Sequence, residues 1–175
     1  MALDTTVGGP ASDSYASVAE ATAYFAATGA AVWATSGLSD QEAALRRAAI
    51  WLDGSFRRRW PGTRASGRAQ ALDWPRIGAI DTDGAVIDPL TIPPEVKRAQ
   101  LEAALTEIVS PRSLAPQVTM AGVVTSEKVG PVAITYAATA ETDLSANMPI
   151  LTSVEQILSG IVPCYDLLYP AALVV

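Results

Sequence analysis

Arginines interleaved with tryptophans are the residues of this sequence best suited to chemistry. They lie in the segment 46–76, RRAAIWLDGSFRRRWPGTRASGRAQALDWPR, which holds eight of the 12 Lys and Arg residues and three of the four Trp. Guanidinium groups bind phosphates and carboxylates, and indoles stack on bases. The segment is therefore a candidate for contact with a nucleic acid or with an acidic protein surface. The candidate residues are Arg46, Arg47, Arg57, Arg58, Arg59, Arg64, Arg68, Arg76, Trp60 and Trp74.

The charge distribution leaves both partners open. Only Asp53 and Asp73 oppose the arginines inside the segment, whereas residues 1–45 contain no Lys or Arg and residues 77–175 are predominantly acidic. A net charge of −6 and a pI of about 4.6 favour arginines that bond the acidic regions of a neighbouring copy. The interleaved indoles favour a surface for single-stranded nucleic acid instead. On charge pattern alone, contact between protein copies is the preferred interpretation.

Catalysis is not expected. The chain has no histidine, so the usual general base and the commonest metal ligand are missing. One cysteine, Cys164, cannot build a zinc or iron–sulfur site, and no glycine-rich loop ends in Gly-Lys-Ser/Thr. The run DTDG at 81–84 starts like a calcium loop but lacks the later carboxylates, so it predicts a plain turn. We expect no enzyme activity, no cofactor and no metal.

The same composition predicts a compartment. A single cysteine fits a reducing environment such as a cytoplasm. The start of the chain lacks the basic residues and apolar run of a signal peptide, and no apolar stretch approaches the ~18 residues of a membrane span. We expect a protein that is neither secreted nor membrane-bound.

Hydrophobic periodicity predicts a mainly α-helical fold, a small helical bundle with an added β-hairpin, long loops and extended terminal arms. Residues 1–13 are expected to form an extended arm. Capping boxes at 17–20 and 39–42 predict helices over 18–28 and from 39 to about 56, with Asp53, Arg46 and Arg47 on the wetter side of the second helix. A linker over 30–38 separates them.

The helical domain is predicted to span 14–136, and the same kinds of sequence pattern predict its remaining elements. A long loop over 60–93 is expected to tuck Leu72 and Trp74 onto the helices, and a Pro-Pro start predicts a helix from 93 to about 110. Period-two runs at 123–127 and 132–136 predict a β-hairpin with its turn at 128–131, closed within the chain or by a neighbour.

Residues 137–175 are expected to form a C-terminal arm with short helices near 152–158 and 165–168. Its apolar end predicts docking on another surface. The docking candidates are Leu168, Tyr169, Leu173, Val174 and Val175.

Five motifs in order resemble a phage-borne protein family. They are SDSYASVAEA at 12–21 with Tyr-Phe at 24–25, ALRRAAIWLDG at 44–54, ALDWPR at 71–76, PPEVKRA at 93–99 and SEKVGP at 126–131. Trp51 stands where the family usually has tyrosine. Members of the family are labelled DnaT-like single-stranded-DNA-binding proteins, and they are similar in size and helical plan to the head–tail connector (adaptor, or head-completion) proteins of tailed bacteriophages.

The connector resemblance implies a structural virion protein without catalysis. Its expected partners are further copies of itself in a ring, by resemblance a dodecamer, the portal protein, and a tail or stopper protein, with packaged DNA passing through and no membrane. The expected location is the virion neck, after assembly in the host cytoplasm. Two contacting patches of opposite charge suit such a ring. The alternative that the family label implies is a single-stranded-DNA-binding protein acting in phage replication.

Overall fold

The computed structural model describes residues 2–115, 126–129, 132–135 and 149–162, and this part of the chain is mainly helical. It contains five α-helices and two short antiparallel strand pairs, which confirms the predicted fold class. In chain order the elements are α1 (Val18–Thr28), α2 (Ala31–Thr35), α3 (Leu38–Phe56), β1 (Thr63–Arg64), a 3₁₀ turn (Gly67–Ala69), β2 (Arg76–Ile77), α4 (Pro94–Val109), β3 (Ser126–Val129), β4 (Val132–Thr135) and α5 (Thr152–Leu158).

Helix α1 has the bounds that its capping box predicts. The Ser17 hydroxyl accepts a hydrogen bond from the Glu20 amide at 3.2 Å, and the Glu20 carboxylate accepts one from the Ser17 amide at 2.7 Å. Gly29, at φ 78°, ends the helix in the left-handed conformation that favours glycine. The helix buries Ala21 and Phe25 against the core.

The second capping box, at 39–42, was predicted wrongly. Helix α3 begins at Leu38, after Gly37, with no side-chain cap, because the amides of Asp40 and Gln41 donate directly to the Gly37 carbonyl at 3.0 Å. The predicted linker contains helix α2, and the Gln41 amide group donates to the Trp33 carbonyl at the end of that helix at 2.8 Å. The Gln41 side chain, which lies between the two residues of the expected box, therefore joins α2 to α3.

The core lies between α3 and α4, which pack through small side chains. Ala48 and Ala49 of α3 and Ala99 and Ala103 of α4 are fully buried and allow close approach of the helices. Gln100 is buried between them with its amide satisfied: it accepts from the Tyr15 and Ala16 amides and donates to Ser14 and to the Leu45 carbonyl. One amide group thus fixes the N-terminal segment to both central helices.

The N-terminal segment predicted as an extended arm lies on the body of the protein. Asp4 and Asp13 close it into a loop, since the Asp13 amide donates to the Asp4 carbonyl at 2.9 Å and the Asp4 amide to the Asp13 carboxylate at 2.8 Å. The Ala71 amide donates to the Gly9 carbonyl at 3.1 Å, which ties this loop to the one after α3.

The loop after α3 has more structure than the sequence predicts. Strands β1 and β2 pair antiparallel in the register Thr63↔Ile77, and Leu72 and Trp74 between them are buried as expected. The turn at 81–84 is confirmed, because the Gly84 amide donates to the Asp81 carbonyl at 3.1 Å.

The hairpin is confirmed as antiparallel pairing within the chain, but its turn is shorter than predicted. Lys128 pairs with Ala133 and Val129 with Val132, so two residues assigned to the turn belong to β3. The predicted helix over 165–168 and the five C-terminal docking candidates lie outside the described residues. Among the helices that are described, none has the length and hydropathy of a membrane span.

Helix α5 is held to the end of α3 by an ion pair. Both Arg59 terminal nitrogens donate to the Glu155 carboxylate, at 2.7 and 2.8 Å, and the Arg59 guanidinium lies 4.8 Å from the centre of the Phe56 ring. The side chains are only 11% and 28% exposed. Val154 and Leu158 of α5 are buried, and the helix packs against α4.

Replacing Arg59 by alanine should lower the free energy of unfolding by about 2 kcal/mol, since a partly buried carboxylate loses two charge-assisted hydrogen bonds. Urea unfolding followed by tryptophan fluorescence measures the change. Arg58→Ala is the matched control, because Arg58 is exposed and should shift stability by no more than about 0.5 kcal/mol. Equal destabilisation by the two variants would contradict the structural role of the Arg59–Glu155 pair.

Candidate nucleic-acid interface

Three of the eight arginines form ion pairs that join separate segments of the chain. Arg46 bonds Asp13 at 2.6 Å and lies 3.5 Å from Glu42. Arg47 bonds the buried Glu107, and Arg59 bonds Glu155. The Glu107 carboxylate also accepts the Arg112 and Leu114 amides, and these donors with Arg47 lower its pKa against the opposing effect of burial. These arginines stabilise the fold.

Arg76 is buried and closes the loop between β1 and β2. Its guanidinium donates to the carbonyls of Pro61 and Gly62, each at 2.6 Å, and to the Asp73 carbonyl at 3.3 Å. Burial lowers its pKa, with the Asp73 charge opposing. Gly62 has φ 66°, and a Cβ there would lie 2.4 Å from the Ile77 carbonyl oxygen, so only glycine fits beside β2.

Arg57 and Arg64 share the carboxylate of Asp73. The Arg57 Nε lies 3.2 Å from Oδ2, and the Arg64 Nε lies 3.6 Å from Oδ1. The Asp73 side chain is 1% exposed, whereas the Arg57 side chain is 56% exposed. A buried carboxylate therefore holds two arginines, of which Arg57 is largely exposed and Arg64 is partly exposed.

Arg58 and Arg68 are exposed, and neither makes an ion pair within the described residues. Arg58 follows Arg57 at the end of α3, and Arg68 lies in the 3₁₀ turn that contacts β1. We call Arg57, Arg58, Arg64 and Arg68 the basic surface. It is the part of the predicted arginine set that remains available to a partner.

A buried hydrogen-bonded cluster lies beneath the basic surface. The Tyr15 hydroxyl donates to one Asp53 oxygen, the Asp73 amide donates to the other at 3.0 Å, and the amides of Asp73 and Trp74 donate to the Tyr15 oxygen at 3.0 and 3.3 Å. The prediction that Asp53 lies on the wetter side of its helix is wrong. It is 5% exposed, because the loop over 72–76 covers that side of α3.

Burial shifts the titration of this cluster. It raises the pKa of Asp53 to about 7, with the Asp73 charge adding to the effect and the hydrogen bond from Tyr15 opposing it. Burial and the Asp53 charge raise the pKa of Tyr15 well above its usual value. The Tyr15 hydroxyl is therefore a permanent donor at neutral pH, while Asp53 titrates there.

The two candidate tryptophans are core residues. Trp60 is 5% and Trp74 is 1% exposed, and their rings pack edge to face at a centroid distance of 5.6 Å. Phe56 packs on Trp60 at 5.5 Å. Neither indole face is open to a base in this conformation, so the stacking role considered from the sequence has no geometric support.

Sequence reasoning missed Asp73 as the residue that organises the basic surface. Its signal is present: it is one of two carboxylates among eight arginines, and it precedes a Trp-Pro pair. The part of the chain described by the structure contains no group of three or more His, Cys, Asp or Glu side chains that could hold a metal ion.

A small helical protein with an exposed basic surface falls into the broad class of candidate nucleic-acid binders. Comparison with known families identifies its family more narrowly. Residues 1–170 match the family described as "Putative DnaT-like ssDNA binding protein". Because the match covers nearly the whole chain, the protein belongs to this family. No curated protein and no solved structure matches the chain significantly.

The interpretation as a head–tail connector is therefore wrong. The family matched over residues 1–170 is described by single-stranded-DNA binding, and no finding supports a ring, a portal partner or a tail partner. The structure also removes part of the reason for that interpretation. Carboxylates of the same chain bond Arg46, Arg47, Arg57, Arg59 and Arg64, so the segregated charges do not require a neighbouring copy. The location in the virion neck stays a prediction.

The raised pKa of Asp53 predicts that stability falls as the pH rises. The folded protein holds a proton on Asp53 up to pH about 7, whereas an unfolded aspartate releases it near pH ~4. The stabilisation is complete below the unfolded pKa and is lost as the pH rises through the folded one. The free energy of unfolding should decrease by a few kcal/mol between pH 5 and pH 8, measured by urea titration at each pH.

Asp53→Asn removes this titration while its side-chain oxygen can still accept from the Tyr15 hydroxyl, so the pH dependence should flatten. Asp83→Asn, in the exposed turn at 81–84, is the control and should leave the wild-type slope unchanged. A variant at Asp53 with the full wild-type slope would contradict the assignment.

Proposed function

We propose that this protein binds single-stranded DNA through the basic surface, by contacts to the phosphate backbone. The observation that carries the proposal is the exposure of Arg58 and Arg68 without intramolecular ion pairs in the described part of the chain, next to the half-exposed Arg57. Membership of a family described by single-stranded-DNA binding supports the choice of partner. Phosphates supply most of the affinity in sequence-independent binding.

The acidic net charge of −6 is compatible with this role, because the basic residues are concentrated locally. Partners respond to the local potential within about 10 Å at ~0.1 M salt, so a cluster of four arginines attracts a strand that the whole molecule would repel. The consequence is binding that weakens steeply with added salt.

Base stacking contributes little through the described part of the chain. Its tryptophans and phenylalanines are all buried, Tyr15 is buried, and Tyr24 is half-buried with its hydroxyl bonded to Glu102 at 2.7 Å. Recognition by these residues therefore depends on phosphate spacing and charge, with little preference for base sequence. Binding without catalysis is part of the proposal, because the sequence has no histidine and the proposed contacts are arginines alone.

Anisotropy of a labelled 20-nucleotide oligodeoxythymidylate, titrated at several salt concentrations, tests the function. Four arginines opposed by the one carboxylate of Asp73 neutralise about three phosphates, which predicts a slope of log K against log salt of about −2. The double variant Arg58→Ala, Arg68→Ala should reduce the slope to about −0.7 and weaken binding by about tenfold or more at low salt.

Arg98→Ala is the matched control, since Arg98 is exposed on α4 and makes no ion pair in the described part of the chain. It should leave the affinity and the slope unchanged. An abasic strand of the same length should bind within about twofold of the thymidylate strand. Absence of binding at low salt, or equal losses in the double variant and in the control, would refute the proposal.

A further inference from the structure

We infer that Arg57, Asp73 and Arg64 form a phosphate clamp that takes one phosphodiester group of the strand, with Asp73 as the residue that positions both arginines. This inference rests on the proposed function and assigns different roles to the members of the basic surface. Arg57 and Arg64 make an oriented contact, whereas Arg58 and Arg68 act as point charges.

The geometry of the clamp comes from the way Asp73 engages each arginine. Its two carboxylate oxygens each face an Nε, one from Arg57 at 3.2 Å and one from Arg64 at 3.6 Å. Arg57, held through Nε, keeps its terminal nitrogens for another acceptor. The Arg57 side chain is 56% exposed, so its remaining donors are open to solvent. Two guanidinium groups thus flank one buried carboxylate at the surface.

Arg64 is fixed at a second point. Its Nη1 donates to the Gln70 carbonyl at 3.4 Å, and the Gln70 side chain is itself buried. That side chain donates to the carbonyls of Leu72 and Pro75, at 2.8 and 3.1 Å, and accepts from the Ser66 amide at 2.8 Å. The segment that carries Arg64 is therefore fixed by a satisfied buried amide.

Asp73 is fixed through its backbone as well. Its amide donates to Tyr15 and to Asp53, each at 3.0 Å, and its carbonyl accepts from Arg76 at 3.3 Å. A carboxylate held this firmly orients the two arginines before any ligand arrives. Preorganised donors bind with a smaller loss of conformational entropy than free side chains do.

The charge of the clamp fits a phosphodiester. Two guanidinium groups and one carboxylate leave a single positive charge, which matches the single negative charge of a phosphate within a strand. Arginine forks donate pairs of parallel hydrogen bonds to phosphate oxygens, and lysine cannot reproduce this geometry. An ammonium group in place of Arg57 would keep the charge but lose both the Asp73 contact and the paired donors.

The pair Arg57→Lys and Arg98→Lys tests the clamp at constant charge. Both positions are exposed, and Arg98 on α4 lies outside the basic surface. Arg57→Lys should weaken binding of the labelled oligodeoxythymidylate about five- to tenfold, whereas Arg98→Lys should stay within about twofold of wild type. Equal affinities for the two variants would overturn the clamp.

Asp73→Asn gives a second test, in which the direction of the change in affinity for the strand decides the outcome. Removing a negative charge beside the strand should strengthen binding if charge alone matters. Loss of the positioning carboxylate should weaken it, by about fivefold or more, in protein whose near-ultraviolet circular dichroism matches wild type. Stronger binding would overturn the positioning role. If this variant does not fold, Arg64→Lys takes its place and should weaken binding as Arg57→Lys does.

Two further outcomes distinguish an oriented clamp from a loose cluster of charges and from a site for free phosphate. If wild type does not bind the strand at low salt, the proposed function fails and the clamp with it. If wild type binds but the two lysine variants have equal affinities, only the clamp fails.

Inorganic phosphate should displace the strand no better than chloride at equal ionic strength. Specific displacement by phosphate that Arg57→Lys abolishes would show that the site takes free phosphate, and would overturn the strand assignment.

Discussion

The hydrogen bonds among Tyr15, Asp53 and Asp73 are the interactions on which the rest of the structure depends. They join three segments that are distant in sequence: the chain before α1, the last turn of α3, and the loop that leads to β2. Buried polar groups of this kind are costly when left unpaired, so the cluster fixes one arrangement of the three segments. The same cluster fixes Asp73, and through it the arginines above.

The arginines divide according to how deeply their partners are buried. Arg47 and Arg59 bond carboxylates at helix contacts, and Arg76 bonds backbone carbonyls, so they serve the fold. Arg58 and Arg68 face solvent. Arg57 and Arg64 combine both situations, since each bonds the buried Asp73 while its side chain stays 56% and 27% exposed, respectively. A chain with an acidic composition thereby places four exposed or partly exposed arginines within residues 57–68.

The sequence predicts those parts of the fold that local chemistry determines. The Ser17–Glu20 capping box and Gly29 give the bounds of α1, and the Pro-Pro start gives α4, because these signals act within one or two helical turns. The cap expected at Ser39 fails because α3 begins one residue earlier, at Leu38, with Gly37 in the N-cap position.

The candidate site was less predictable. Helical periodicity predicts that Asp53 faces solvent, but it cannot show that a loop some 20 residues later in the chain covers this side chain. The indoles at 60 and 74 fit a stacking surface by type and spacing, yet they pack on each other in the core. Contacts between residues that are distant in sequence determine the burial of Asp53 and of the two indoles, and no local sequence pattern encodes such contacts. The choice between a connector and a DNA binder likewise came from the family match.

Hydrogen–deuterium exchange of the full chain, with and without a 20-nucleotide oligodeoxythymidylate at low salt, tests most directly whether the basic surface binds the strand. Binding there predicts slower exchange with DNA in peptides that cover 57–70, and unchanged exchange in peptides of α4 that contain Arg98. Unchanged exchange over 57–70 in a sample saturated with DNA, or protection confined to another part of the chain, would contradict binding at the basic surface.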